Sequence, residues 1–205
     1  QTLTNKTLTA PKINENVAVT STATELNLLD GKAAANLALL GKTEGTNFTD
    51  SLLVGHATTG TLNAAQDNTG VGIGALDAIT SADSVTAIGN DAATNVTSGG
   101  FSTVVGAGAY FTNSTGTNNT AVGRFSLRSS TGSNNVALGK DSGEALSSGS
   151  QNIIIGSNTG DQYPTTGSGN VLIGNNIDAD ATSSARTLKI AGYDGSTTTT
   201  WISGS

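Results

Sequence analysis

Residues 116–146 read "GTNNTAVGRFSLRSSTGSNNVALGKDSGEAL" and contain nearly the same phrase twice, first "NNTAVG" and then "NNVALG". A short apolar pulse closes on glycine, a polar stretch follows, and the pulse restarts. Taken as a marker, the closing glycine falls at Gly55, Gly72, Gly89, Gly106, Gly123, Gly139, Gly156 and Gly174, with spacings of 17, 17, 17, 17, 16, 17 and 18 residues. One more period ends on Ala191, after "TLKI", as a degenerate ninth copy. Self-similarity at a fixed period marks a repeat architecture, so it is read before any local signal.

The columns of the repeat state what each position requires. Immediately before the marker stand Val54, Val71, Ile88, Val105, Val122, Leu138, Ile155, Ile173 and Ile190, aliphatic throughout and β-branched except for Leu138. Such residues suit a strand, and these nine are the expected structural core, pointing inward. Two residues earlier, Leu52, Thr69, Thr86, Thr103, Thr120, Val136, Ile153, Val171 and Leu188 share their face, because strand side chains alternate. Four before the marker, Asn68, Asn119, Asn135, Asn152 and Asn170 recur, as expected of asparagines that turn the chain by bonding their own backbone. Three after it stand Ala75, Ala92, Ala109, Ser126, Ser142 and Thr159, small residues that imply a second, tightly packed wall and a column another surface can approach closely.

One strand, a glycine corner and a polar return make one coil. A single coil cannot bury its own apolar face, so copies stack at roughly 4.8 Å and pair edge to edge. The fold class read from this is all-β, a parallel β-solenoid of eight to nine coils over residues 50–192, with a repeat of about 17 residues. The competing reading, a Ser/Thr/Gly/Asn-rich linker, fails because disorder needs no register.

Residues 1–49 read as a connector. The segment 2–20 is extended, threonine-rich and broken by Pro11. Thr22 and Glu25 have capping-box spacing and predict a short helix over 21–31; a second is predicted over 33–40, stopped by Gly41. Neither is long enough to stand alone in water, so packing against other copies is the expected stabiliser and a parallel homotrimer the expected assembly. Beyond Gly174 the pattern loosens, as a terminal coil requires: Ile177 replaces the small residue and Lys189 enters the strand. Residues 193–205 are expected to form a cap or junction strand, with Trp201 and Ile202 packed across chains.

Composition excludes several functions. The chain of 205 residues has no cysteine and one histidine, His56, which removes Cys–His catalysis and Cys/His zinc sites; His56 reads as a solvated turn. A net charge of −6 with nine scattered basic residues argues against nucleic-acid binding, and no apolar run is long enough to insert in a membrane as a helix. "GVGIGA" at 70–75 lies inside the repeat and lacks the full dinucleotide-loop pattern. Asp141 with Glu144 and Asp178 with Asp180 are the closest acidic pairs; both fall in polar returns, where solvated charge is the default, and no metal, cofactor or catalytic residue is assigned. Aromatics are sparse. Tyr110, Phe111, Phe125 and Tyr163 follow glycine corners, where they would either contact a receptor glycan or fill gaps between chains.

"NTAVG", "NVALG" and "NIIIG", followed by small residues, resemble the head repeat of trimeric autotransporter adhesins of the YadA-like type over residues 50–192. The resemblance implies a left-handed parallel β-roll in which three chains pack side by side, with longer outward loops here because the usual repeat is shorter. "TLTNKTLTAPKI" (2–13), "STATELNLLDG" (21–31) and "DSLLVGHATTGTL" (50–62) are similar to connector phrases of bacteriophage tail fibres. Together these imply a non-enzymatic, rigid adhesive or spacer segment of a phage tail fibre in the virion tail, with other tail proteins and a host surface glycan or protein as partners. The alternative is the head of a bacterial cell-surface adhesin that binds glycan or matrix through its side loops.

Overall fold

The computed structural model describes residues 41–55, 59–162 and 165–204, all within a compact unit that spans Leu39–Ser205. The two predicted helices, His56 and Tyr163 lie outside the described residues. Twelve strands form one sheet: β1 Gly41–Gly45, β2 Phe48–Val54, β3 Ala65–Gln66, β4 Thr69–Val71, β5 Thr86–Ile88, β6 Thr103–Val105, β7 Thr120–Val122, β8 Val136–Leu138, β9 Ile153–Ile155, β10 Val171–Gly174, β11 Leu188–Tyr193 and β12 Thr198–Gly204. There is no helix among the described residues.

Nine of these strands, β2 and β4 to β11, stack in parallel with each repeat column aligned, from Val54 on Val71 to Ile173 on Ile190. The protein is thus a parallel β-solenoid of about eight turns. The register follows the marker column, and Ala191 pairs with Gly174 as the ninth copy. Most rungs are only three residues long, shorter than a mean strand, because a corner follows each pulse at once. At each end the parallel stack meets an antiparallel strand: β1 pairs with β2 and β12 with β11. These hairpins cover the open edges that a stack of coils otherwise leaves. The sheet therefore begins at Gly41, ahead of residue 50.

The alternation of the strands is opposite in sense to the expected one. The residue two before the marker, Leu53, Ala87, Val104, Ala121, Ala137, Ile154 or Leu172, is completely buried inside the coil. Val54, Val71, Ile88, Val105, Val122, Leu138, Ile155, Ile173 and Ile190 instead face outward and are half-buried to exposed in the single chain, Ile88 at 42% and Val122 at 36%. The interior is too narrow for two opposed rows of large side chains. It takes alanines and an occasional Val, Ile or Leu from the strand, and it is filled from the other side by Leu76, Ile79, Val96, Leu127 and Leu146.

The small column is the second wall, as expected: Ala75, Ala92, Ala109, Ser126, Ser142 and Thr159 are all fully buried. Being inside, it is not a surface that another chain can approach. Ser126 and Ser142 donate across the interior to the carbonyls of Ala137 and Ile154 at 3.1 and 2.9 Å. The asparagines also differ from expectation. Each is buried and accepts a bond from the backbone of the next coil: Asn135 N–H on Asn119 Oδ1, Asn152 N–H on Asn135 Oδ1 and Asn170 N–H on Asn152 Oδ1, at 2.9 to 3.0 Å. They form a ladder that satisfies buried backbone between coils rather than a local turn.

The marker must be glycine for two reasons at once. At Gly123 φ is +134°, and a Cβ there would stand 2.2 Å from the carbonyl oxygen of Gly139 in the next coil. Every marker meets its successor in this way, down to Gly174 against the Ala191 carbonyl. Ala191 has no parallel coil beyond it, and its strand, β11, runs straight on to Tyr193, so the constraint lapses where the sequence first abandons glycine.

Candidate functional site

The four aromatics singled out from the sequence separate. Tyr110 takes the repeat position of the core residues Leu76 and Leu127, four after the marker and with the same left-handed backbone (φ +55°), and its side chain is fully buried in the coil. Its hydroxyl accepts a short hydrogen bond from Asn119 Nδ2, and burial pushes the phenol above its ordinary pKa against the opposing effect of Asn119 and Ser102. Room for the ring comes from Gly116, where a Cβ would lie 2.8 Å from the Tyr110 hydroxyl. Tyr110 is therefore a core residue rather than a glycan contact or a filler between chains.

Phe111 and Phe125 remain at the surface, each half-buried. The Phe125 ring sits over Gly108 of the preceding coil, where a Cβ would come within 2.5 Å of it, so a missing side chain provides its seat. Two guanidinium groups lie against the Phe125 ring: Arg124 at 4.0 Å from the centroid and Arg128 at 4.7 Å. Arg128 also lies 6.0 Å from the Phe111 ring and forms a 3.3 Å ion pair with Glu144 of the next coil. Lys140, one coil on, pairs closely with Asp141. Three of the nine basic residues and two of the eight aromatics thus gather on three consecutive coils. The arginines were missed as site residues, although "RFSLR" (124–128) stands in the opening phrase of the repeat. The signal was the arrangement of two arginines around one phenylalanine just past a glycine corner.

The acidic pairs serve structure. Glu144 and Asp141 hold the cations just named. Asp178, through its carbonyl at 2.9 Å, and Asp180, through its carboxylate at 3.4 Å, receive the ammonium of Lys189, the residue that ends the inward column of the strands. Asp161 is raised above its ordinary value by burial and by the charges of Asp178, Glu144 and Asp141. Among the described residues no group of three or more His, Cys, Asp or Glu side chains converges as a metal set would.

At the far end, β12 is exposed along its length. Trp201 is 68% exposed and its indole lies across the backbone of Gly192, where a Cβ would stand 2.7 Å from the ring. Ile202 pairs with Ile190 and so extends the outward aliphatic column into the hairpin. An open cleft of about 400 Å³ lies beside it, between Tyr193, Asp194, Thr197, Thr199 and Trp201. Backbone N–H groups of Thr197 and Ser196 hold the Asp194 carboxyl below its ordinary pKa.

Compared with known proteins, the chain matches no family model, no curated protein and no solved structure. No helix among the described residues is long and apolar enough to cross a membrane.

Proposed function

We propose that this chain is a rigid, non-enzymatic segment of an extracellular attachment fibre, of the bacteriophage tail-fibre kind, built as a parallel homotrimer of left-handed β-rolls. The observation that carries this reading is the outward face of the sheet. The nine aliphatic residues from Val54 to Ile190 form a column down successive coils, flanked by the row from Leu52 to Leu188 on the same face. No charged residue interrupts either row, and with coils at roughly 4.8 Å the face runs on the order of 40 Å. A continuous apolar strip of that length marks an interaction surface, and an identical strip on identical chains fits a symmetric assembly along the roll. Three sheets facing one axis bury it on all copies, and Trp201 with Ile202 continues it at the end of the chain. The phage reading rests on the connector phrases at 2–13, 21–31 and 50–62.

Mass measurement of the folded chain by sedimentation is the direct test. Three copies are expected, and a stable monomer overturns the assembly. Antibody raised against the chain should decorate distal fibres of phage particles; decoration confined to a bacterial surface would favour the adhesin head instead.

A further inference from the structure

We infer that the Arg124–Phe125–Arg128 cluster is a binding site for carboxylated saccharides, placed on the side of the roll and distinct from the apolar strip. The inference deepens the attachment reading and rests on it for the nature of the ligand's source. Both guanidinium groups are held against one ring, which itself is seated in the slot over Gly108. A guanidinium drawn to a ring by cation–π attraction spends none of its N–H donors on that contact, and those donors can grip a carboxylate through two parallel bonds. Arg128 spends one N–H group on Glu144; no described residue hydrogen-bonds the Arg124 side chain.

Charge points to an anion. Arg124 and Arg128 form the positive end of a cluster whose carboxylates, Asp141 and Glu144, stand one coil on beside Lys140, with Asp161 beyond them, on a chain of net charge −6. Two like charges brought to one ring repel, and a bound carboxylate offsets that repulsion. Phe111, half-buried beside Arg128, adds an apolar ring face of the kind that packs on the C–H face of a sugar. Carboxylate grip together with an aromatic face describes a uronic-acid or other carboxylated pyranose better than a bare anion, which has no use for the ring. The neighbouring carboxylates and the exposed position, with Arg128 at 45% exposure, make binding modest and salt-sensitive, suited to repeated low-affinity contacts along a fibre.

The test is calorimetric titration of the folded chain, at low salt, with three probes: tri-galacturonate, neutral tri-galactose and tri-glutamate. Tri-galacturonate should bind, the other two should be at least ten-fold weaker, and Arg124→Gln with Arg128→Gln should reduce tri-galacturonate binding at least ten-fold. Arg128→Lys should restore only part of the affinity, since it returns the charge without the planar fork. Should the double variant fold poorly, the arginine side-chain N–H resonances of the unaltered chain report directly: they should shift with tri-galacturonate and not with tri-galactose. Absence of tri-galacturonate binding, binding unchanged in a folded double variant, unshifted arginine resonances, or equal affinity for tri-glutamate would each overturn the site. The mass of the same sample separates this from the fibre reading, because a trimer that ignores tri-galacturonate refutes the site alone.

Discussion

Strand β9 is three isoleucines in a row, and only the middle one is inside. Ile154 is fully buried in the coil, while Ile153 is 40% exposed and Ile155 half-buried on the opposite face. Along the stack the same contrast holds for two whole faces. The inner face carries whatever the narrow interior admits, from Gly70 through Ala121 to Leu172, and all of it is buried. The outer face carries the more uniform and bulkier row, and the single chain leaves it uncovered. The uniform aliphatic character of the outer face is what the proposed assembly would use, whereas the tolerance of the inner face for size reflects compensation from the wall opposite. At Tyr110 that compensation is visible: a large ring is matched by Gly116.

Substitutions that separate the faces fall in a definite order. Ile154→Ala should cost the folded chain about 2–5 kcal/mol, because it leaves a cavity in a fully buried site; thermal or denaturant unfolding reads this directly. A cost below that of Ile155→Ala would reverse the assignment of inside and outside. Asn135→Ala strips partners from the Gly149 carbonyl and the Asn152 N–H, each buried, and should cost about 1–3 kcal/mol for the groups left unpaired, with exchange protection lost first in the two adjoining coils. Local protection unchanged at those coils would show that the ladder is incidental.

On the outer face the expected outcome is of another kind. Val122→Glu should alter the unfolding of an isolated chain by about 1 kcal/mol or less, since the site is exposed, yet reduce the assembled mass to that of a single chain. A trimer that tolerates this charge would remove the outer strip from the interface. The smallest effect belongs to the corners that join the two faces. Asp161 has its folded pKa raised, so its contribution to stability is fully present below the unfolded value and is lost as pH rises through the raised one. Asp161→Asn should therefore raise the melting temperature slightly near neutral pH and leave it unchanged in acid. A variant that is less stable near neutral pH would mean that this carboxylate is held by attraction rather than by burial and like charge.

Much of the site was legible only in part. Tyr110, Phe111 and Phe125 all follow a glycine corner, and that alone does not separate the ring that turns inward from the two that stay half-buried. What separates them is the place in the repeat: Tyr110 stands four after its marker, as do the fully buried Leu76 and Leu127, whereas Phe125 stands two after its own and shares the left-handed backbone, with φ at +56°. The arginines around Phe125 were adjacent in sequence and still unremarked, because their significance lies in sharing one ring and in the glycine of the previous coil that seats it, 17 residues away.

By itself the amino-acid sequence determined the period, the strand positions, the in-register parallel stacking and the point at which the stack ends, because a marker that must be glycine to clear the next coil writes itself into the chain at every turn. It could not determine which of two alternating columns faces inward. In an ordinary half-buried strand the more hydrophobic column is the inner one, and that rule holds only when the other face meets water. Here the interior is narrow, its opposite wall already contributes Leu76, Ile79, Leu127 and Leu146 beside the small column, and volume rather than hydrophobicity selects what enters. That selection exists only once the coil has closed, so it was left to the tertiary structure, together with the asparagine ladder, whose partners come within reach when one coil lies directly upon the next.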